Sequence, residues 1–198
     1  NPTSRRVLDG EVVGLLPTPE INNIPFLGWY TDLTSGTLVN RNSVVLNTKT
    51  YYAHWANSYT IFDTGKVVNA KFKTLAGDTL DVDYPYITQD ENVVSIERST
   101  TAPEQGTVTE NVEATGNTPI VAWFDNGVIK YYTEADDIFL NADASYMFNE
   151  FEKVTNIDTS FYTSITTDMS YLFSYCKAIP SIDISRFNTS HVTDFGYM

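Results

Sequence analysis

The last third of the chain repeats itself, and this repetition constrains the fold more than any other feature of the sequence. Asp-Ala-Ser-Tyr-Met-Phe at 143–148 returns as Asp-Met-Ser-Tyr-Leu-Phe at 168–173 and, shortened, as Asp-Phe-Gly-Tyr-Met at 194–198. The first aspartates of these three blocks are 25 and then 26 residues apart. A period of this size with a fixed apolar pattern is typical of repeat units that bury their apolar side only against neighbouring units.

Each unit is predicted to contain one short helical turn and one short strand, and the units are predicted to stack into a solenoid. Asp168 suits the N-cap of a helix, after which Met169 and Cys176 fall on one apolar face. Ile182 and Ile184 alternate with a polar residue, as in a strand with one buried side. The positions predicted to form the core of the repeats are Met147, Phe148, Phe151, Ile157, Met169, Leu172, Phe173, Cys176, Ile182 and Ile184.

The third copy of the block ends at Met198 after five residues. A stack of repeats cut at that point would leave an apolar edge in water. We therefore expect the natural protein to continue past Met198 with further repeats.

The segment ahead of the repeats is expected to be rich in short strands. Apolar and polar residues alternate over 71–75 and again over 79–84, which is typical of strands. Asn126-Gly127 separates two apolar runs and predicts a hairpin, since Asn-Gly supplies the positive φ angles of a tight turn. Residues 99–118 contain no aromatic, Lys or Arg side chain and are predicted to be a connector.

Three motifs near the amino terminus follow one another in a recognisable order: LPTP at 16–19, FLGWYTD at 26–32 and YAHW at 52–55. This order and spacing resembles the Listeria–Bacteroides repeat, a B-repeat module of internalin-type surface proteins. The resemblance covers about the first quarter of the chain. It implies a small β-grasp-like module over residues 1–57.

The blocks that begin at Asp143 resemble the BspA-type (Mycoplasma-type) leucine-rich-like repeats, in which a DMSYMF…IDLS…VTDM pattern recurs as it does over 168–194. The resemblance implies BspA-type repeats over residues 141–198, preceded by a β-rich cap over residues 58–140. The expected fold class is thus β-rich α+β: a β-grasp-like module, a cap, and a leucine-rich-repeat-like right-handed solenoid. Proteins of this kind are displayed on bacterial surfaces or secreted, and are associated with adhesion.

The charge of the chain argues against two classes of partner. The formal net charge is −13, and only 12 Lys and Arg residues are spread along the sequence. Nucleic-acid binding needs clustered basic side chains, and anionic lipid would repel this chain. No apolar run is long enough to span a membrane, so membrane insertion within this chain is not expected either.

The candidate nucleophiles and metal ligands favour packing over chemistry. Cys176 is the only cysteine, and its counterpart one repeat earlier is Phe151, so the position is apolar. His54 and His191 have no partner at the spacing of a catalytic triad or a zinc site. We therefore expect neither catalysis nor a cofactor.

Acidic residues cluster at Asp78, Asp81 and Asp83. A calcium loop would also need a glycine and a closing glutamate at fixed positions, and the glycine is missing here. The pattern favours a solvated acidic face, while calcium binding stays open as the alternative.

Aromatic side chains are the residues best suited to touching a partner. Tyr30, Tyr52, Tyr131 and Tyr132 are the candidate contacts, and alternation within 51–55 leaves one face of that segment outward. The expected function is adhesion to a host or matrix protein or glycoprotein, or contact with other surface proteins, by a protein on the bacterial cell surface or secreted from it. The alternative is a structural stalk or spacer of a larger surface protein.

Overall fold

The structure is a computed structural model that describes residues 7–20, 24–114 and 118–198. Residues 1–6 and 21–23 of the predicted amino-terminal module, and 115–117 of the predicted connector, lie outside the described residues. The chain divides into two compact units, residues 1–57 and residues 58–198. They are called the amino-terminal unit and the carboxy-terminal unit.

The amino-terminal unit is built on three antiparallel strands. These are β1 (Phe26–Tyr30), β2 (Leu38–Val39) and β3 (Tyr52–Trp55), and β1 lies between the other two. The buried hydrophobic residues of its described part are few: Val13, Phe26, Val39, Val45 and Ala56. A β-grasp module would also carry a helix against its sheet, whereas the described residues of this unit contain none.

The carboxy-terminal unit contains a five-stranded mixed sheet. Its strands are β5 (Ser95–Arg98), β6 (Glu110–Asn111), β7 (Val121–Asp125), β8 (Val128–Tyr132) and β10 (Asn156–Ile157), in the order β10-β5-β8-β7-β6. A separate parallel pair is formed by β4 (Tyr59–Ile61) and β9 (Asp137–Phe139). The helical segments are α1 (Gly65–Ala76) and a short 3-10 helix (Pro85–Ile87).

The hairpin predicted at Asn126-Gly127 is confirmed. Strands β7 and β8 pair antiparallel on either side of these two residues. Asn126 has a φ of 47° and Gly127 a φ of 87°. Positive φ at both central positions matches the right-handed twist of the two strands, which is why this dipeptide marks such turns.

The strands predicted over 71–75 and 79–84 are wrong. Residues 71–75 belong to α1, and 79–84 form a loop. The alternation over the five residues 71–75 is part of a longer helical pattern that covers the twelve residues of α1. In that pattern Val68 and Phe72 bury their side chains on one face of the helix. The helix ends at Ala76, and the next residue, Gly77, has a φ of 91° and forms the left-handed cap that glycine supplies most readily. No helix in the described part of the chain is long and apolar enough to cross a membrane.

The predicted leucine-rich-repeat-like solenoid is also wrong. The described part of the carboxy-terminal unit is mostly β-structure with one helix, and no sheet winds into a solenoid. Within the repeats, strand pairing is limited to β10 and to isolated bridges such as Asp143 to Asp168 and Asp168 to Asp194. The helix predicted after Asp168 is replaced by turns, because Tyr171 and Tyr175 have φ values of 55° and 58° and a right-handed helix cannot pass through them.

One hydrophobic core serves the sheet, α1 and the repeats together. Most of the repeat positions expected in the core are buried: Met147, Phe148, Phe151, Ile157, Met169, Leu172 and Cys176. Phe173 and Ile182 are half-buried, and Ile184 is 50% exposed and lies outside any strand. The repeats and the segment 58–140 therefore stabilise each other through shared apolar contacts.

Replacing Gly65 with alanine should destabilise the carboxy-terminal unit. A Cβ atom there would overlap the carbonyl oxygen of Ser145 and lie 2.5 Å from that of Ala144. Overpacking of this kind costs about 1–3 kcal/mol. Urea unfolding of Gly65→Ala should show this loss, whereas the control Val67→Ala, on the exposed side of the same helix, should change little. Equal unfolding midpoints for the two variants would contradict the close approach.

Candidate functional site

The aspartates of the repeats stabilise backbone turns through their side chains. Oδ1 of Asp143, Asp168 and Asp194 each accepts the backbone N–H two residues further on, at 3.0, 2.8 and 2.7 Å. Asp158 and Asp183 make the same bond with Ser160 and Ser185, at 2.7 and 2.8 Å. These side chains serve as local caps that hold the turn. Within the described ranges no group of three or more His, Cys, Asp or Glu residues is arranged to hold a metal ion.

Backbone hydrogen bonds hold successive repeats in register. The N–H groups of Ala144, Tyr146 and Phe148 donate to carbonyls of the second repeat, each at 3.0 Å. The N–H group of Tyr171 donates in the same way to Gly196 of the third, at 2.8 Å. Side chains at equivalent positions are therefore brought face to face.

Tyrosine occupies one such position in all three repeats. The rings of Tyr146 and Tyr171 stack at 4.5 Å and 8°, and those of Tyr171 and Tyr197 at 4.9 Å and 20°. The ring of Tyr86, in the short 3-10 helix, lies 4.7 Å from that of Tyr146 but is tilted by 57° and does not stack on it. We call Tyr86, Tyr146, Tyr171 and Tyr197 the tyrosine row. Nζ of Lys66 lies 5.0 Å from the centroid of the first ring and 5.2 Å from that of the second.

The backbone under the row is in a conformation that tyrosine adopts at a cost. Tyr146, Tyr171 and Tyr197 have φ values of 62°, 55° and 55°. This left-handed region costs an L-residue other than glycine about 1–2 kcal/mol. Glycine or asparagine would fit there more easily. Stacking of aromatic pairs returns roughly 0.5–1.5 kcal/mol each.

The members of the row are all at least partly exposed to solvent. Tyr197 is 77% exposed, while Tyr86, Tyr146 and Tyr171 are half-buried. Burial, followed by the phenols of Tyr171 and Tyr86, raises the pKa of Tyr146 above its ordinary value. A pre-ordered strip of aromatic edges with polar tips is suited to protein or glycoprotein contact, since little side-chain entropy is lost on binding.

Helix α1 attaches the row to the rest of the unit. Gly65 N–H donates to the carbonyl of Asp143 at 2.9 Å. The amide of Asn69 donates to the carbonyls of Tyr146 and Asn149, both at 2.9 Å. Nζ of Lys73 donates to the carbonyl of Asn149 at 3.0 Å. No repeat precedes the first one and could donate to the carbonyls on this edge. The donors of α1 form hydrogen bonds with these carbonyls instead.

The aromatic residues expected as contacts are divided between the two units, and one of them is buried. Tyr30 stacks on His54, with ring centroids 4.1 Å apart, and pairs with Tyr52 across β1 and β3 in the amino-terminal unit. Tyr131 is only 2% exposed and lies in the core of the other unit, so it cannot contact a partner. Tyr132 is its half-buried neighbour on β8.

The tyrosine row was missed although its signal is in the sequence. Tyrosine stands at the fourth position of every block, at the repeat period. A helical interpretation of the block gives that residue no neighbour in the next repeat. Only the turn geometry, with backbone bonds between repeats, turns a periodic tyrosine into a stack.

Cys176 and the two histidines are held by packing and backbone contacts. The thiol of Cys176 donates to the carbonyl of Phe148 at 3.1 Å, and burial raises its pKa to about 12, so it stays a thiol and a poor nucleophile. Ring nitrogens of His54 and His191 lie 2.8 Å from the carbonyls of Asp32 and Ser164.

Residues 140–198 match the sequence model of a family described as Mycoplasma protein of unknown function, DUF285. This is the family of BspA-like surface repeat proteins. The match covers less than a third of the chain. No model of a leucine-rich repeat or of a Listeria–Bacteroides repeat matches. No curated protein and no solved structure is similar enough to be matched.

The backbone cost under the row can be measured with a pair of variants. Tyr171→Gly and Tyr171→Ala both remove the stacked ring, but only alanine keeps a Cβ in the left-handed region. We expect the glycine variant to be the more stable by about 1 kcal/mol in urea unfolding. At Tyr132, which lies in a regular strand, the same pair should reverse, because glycine weakens strands. If the alanine variant were the more stable one at Tyr171 as well as at Tyr132, a left-handed backbone at Tyr171 would be contradicted.

Proposed function

We propose that this protein is an adhesive protein of a bacterial surface, displayed there or secreted, and that it binds a host or matrix protein or glycoprotein through the tyrosine row. The row is the observation that carries the proposal. It places tyrosine rings on three left-handed backbone positions, although smaller residues would fold there at lower cost. A surface selected for binding accounts for that choice.

Three further observations support this proposal. Residues 140–198 fall in a family of surface repeat proteins. The motifs at 16–19, 26–32 and 52–55 resemble the Listeria–Bacteroides repeat of other surface proteins. The net charge of −13 suits a protein that must stay soluble on a crowded surface, and it disfavours nucleic acid and anionic lipid as partners. No catalytic role and no cofactor are proposed.

The second candidate function is a stalk or spacer whose binding is done elsewhere. It is favoured by the in-register hydrogen bonds between repeats, which stack the blocks and need no ligand. In that case the rings would serve only to stabilise the stack. The two functions differ in what happens when the row is removed without disturbing the backbone.

The test is binding to immobilised collagen, laminin and mucin and to epithelial cells. A variant with Tyr146→Asn, Tyr171→Asn and Tyr197→Asn keeps a residue that tolerates the left-handed region at each site. We expect saturable binding by the wild-type chain and a loss of roughly tenfold or more in the variant, as for a removed hot spot. Tyr175→Asn is the control, since Tyr175 is also left-handed and exposed but lies outside the row.

Equal binding by the triple variant and the control would place any adhesive surface outside the row. Absence of saturable binding by the wild-type chain would favour the stalk. Tyr30→Asn with Tyr52→Asn tests the amino-terminal unit separately, and should leave binding unchanged if the row is the contact surface.

A further inference from the structure

The loop over residues 78–92 carries one member of the tyrosine row, Tyr86, and is closed at its neck. Asp78 follows the cap of α1, and its Oδ1 accepts the side-chain amide of Asn92 at 2.8 Å. The two ends of the loop are therefore joined directly. A surface loop of about 6–16 residues whose ends meet is an Ω-loop, a type that frequently carries function.

Polar groups hold the loop from within. Oδ1 of Asp81 accepts the N–H groups of Asp83 and Tyr84, at 3.0 and 2.7 Å. The N–H group of Asp81 donates to Oγ1 of Thr88 at 2.9 Å and joins two distant parts of the loop. These hydrogen bonds fix the backbone on both sides of Val82. The loop therefore loses little conformational entropy when it binds a partner.

The loop is attached to the rest of the unit through Tyr86. The carbonyl of this residue accepts Nζ of Lys73 at 3.3 Å and the side-chain amide of Asn149 at 3.0 Å. Its ring lies 4.7 Å from that of Tyr146, and the ring of Tyr84 lies 6.3 Å from it at 90°. Ring contacts therefore continue from the tyrosine row to Tyr84 in the loop.

Apolar side chains of the loop are left in contact with water. Val82 is 94% exposed, Tyr84 is 55% exposed and Ile87 is 48% exposed. An Ω-loop is ordinarily packed by its own side chains, whereas hydrogen bonds hold this one and its apolar groups stay outside. One exposed apolar residue is common on any protein surface. Several of them on a fixed backbone that adjoins a row of aromatic rings are typical of a surface that contacts a partner.

The charge of the loop indicates the kind of partner that fits it. Residues 78–92 contain five Asp or Glu side chains and no Lys or Arg. Within the described part of the chain, no ion pair joins the loop to a basic side chain. Asp83 and Glu91 are exposed. Such a surface repels acidic sugars and attracts a protein surface that is rich in Lys and Arg.

We propose that the loop over residues 78–92 is a preformed contact of the adhesive surface, and that its partner is a protein with an apolar pocket rimmed by Lys and Arg side chains. Val82 enters the pocket, and Tyr84 continues the contact towards the tyrosine row. Asp83 pairs with the basic rim. An apolar centre with a charged rim is the usual arrangement of a protein interface. This inference rests on the proposed adhesive function and narrows its partner to a basic protein surface.

The apolar part of the contact is tested with a pair of valine variants of the full chain. Val82→Thr keeps the branched shape and puts a hydroxyl group where a methyl group would enter the pocket. Val108→Thr is the matched control, because Val108 is 79% exposed and lies outside the loop. We expect Val82→Thr to weaken binding to immobilised collagen or laminin by roughly tenfold, since its buried hydroxyl group has no partner. The control should bind as the wild type does.

The charged part of the contact is tested by association rates. Asp83→Asn and Glu104→Gln each remove one exposed negative charge, but only Asp83 lies in the loop. The first should slow association with the same immobilised protein, whereas the second should leave the rate unchanged. Wild-type association should slow on the order of tenfold between about 50 mM and about 500 mM NaCl, because salt screens the attraction. Equal urea unfolding midpoints for all four variants and the wild type separate these effects from folding.

The outcomes separate this inference from the proposed function. Saturable wild-type binding that the triple variant of the row abolishes, but that Val82→Thr and Asp83→Asn leave unchanged, would overturn the loop contact and keep the proposed function. Binding that is lost when the glycans of the immobilised protein are removed by enzymes would assign the surface to a glycan and overturn the basic protein partner. Absence of saturable wild-type binding would overturn both.

Discussion

The repeats have a directional backbone edge, and the rest of the carboxy-terminal unit depends on how that edge is satisfied. The N–H groups of Ala144, Tyr146 and Phe148 in the first repeat donate to carbonyls of the second. On the opposite edge of the first repeat, the carbonyls of Asp143 and Asn149 accept donors from helix α1. Gly65, Asn69 and Lys73 of helix α1 supply donors where a preceding repeat would have placed its N–H groups. A buried carbonyl left without a donor would cost about 1–3 kcal/mol.

Polar groups in this unit are therefore mostly structural. The aspartates of the repeats hold turns, and Asn69 and Lys73 are fully buried because they replace backbone donors. The sequence favoured a solvated acidic face, but some of the aspartates instead stabilise backbone turns. The same scaffold orders the tyrosine row, three of whose members, Tyr146, Tyr171 and Tyr197, have left-handed backbones.

The period of the repeats and the Asn126-Gly127 hairpin could be predicted from the sequence, because both depend on local residue types. Helix α1 could not be predicted, since five alternating residues over 71–75 fit a strand as well as they fit a helix. The helix predicted after Asp168 failed for a different reason. An aspartate accepts the N–H group two residues on in a turn as readily as it caps a helix, and only the contacts between repeats select the turn. The tyrosine row depends on those same contacts and was missed with them.

The most direct test of this account is hydrogen exchange of the repeat amides in Asn69→Leu. Leucine keeps the bulk of the side chain and removes the donors to the carbonyls of Tyr146 and Asn149. The account predicts that the N–H groups of Ala144, Tyr146 and Phe148, which join the first two repeats, exchange roughly tenfold faster or more than in the wild type. Unchanged exchange at these amides would contradict the claim that the donors of helix α1 stabilise the edge of the first repeat.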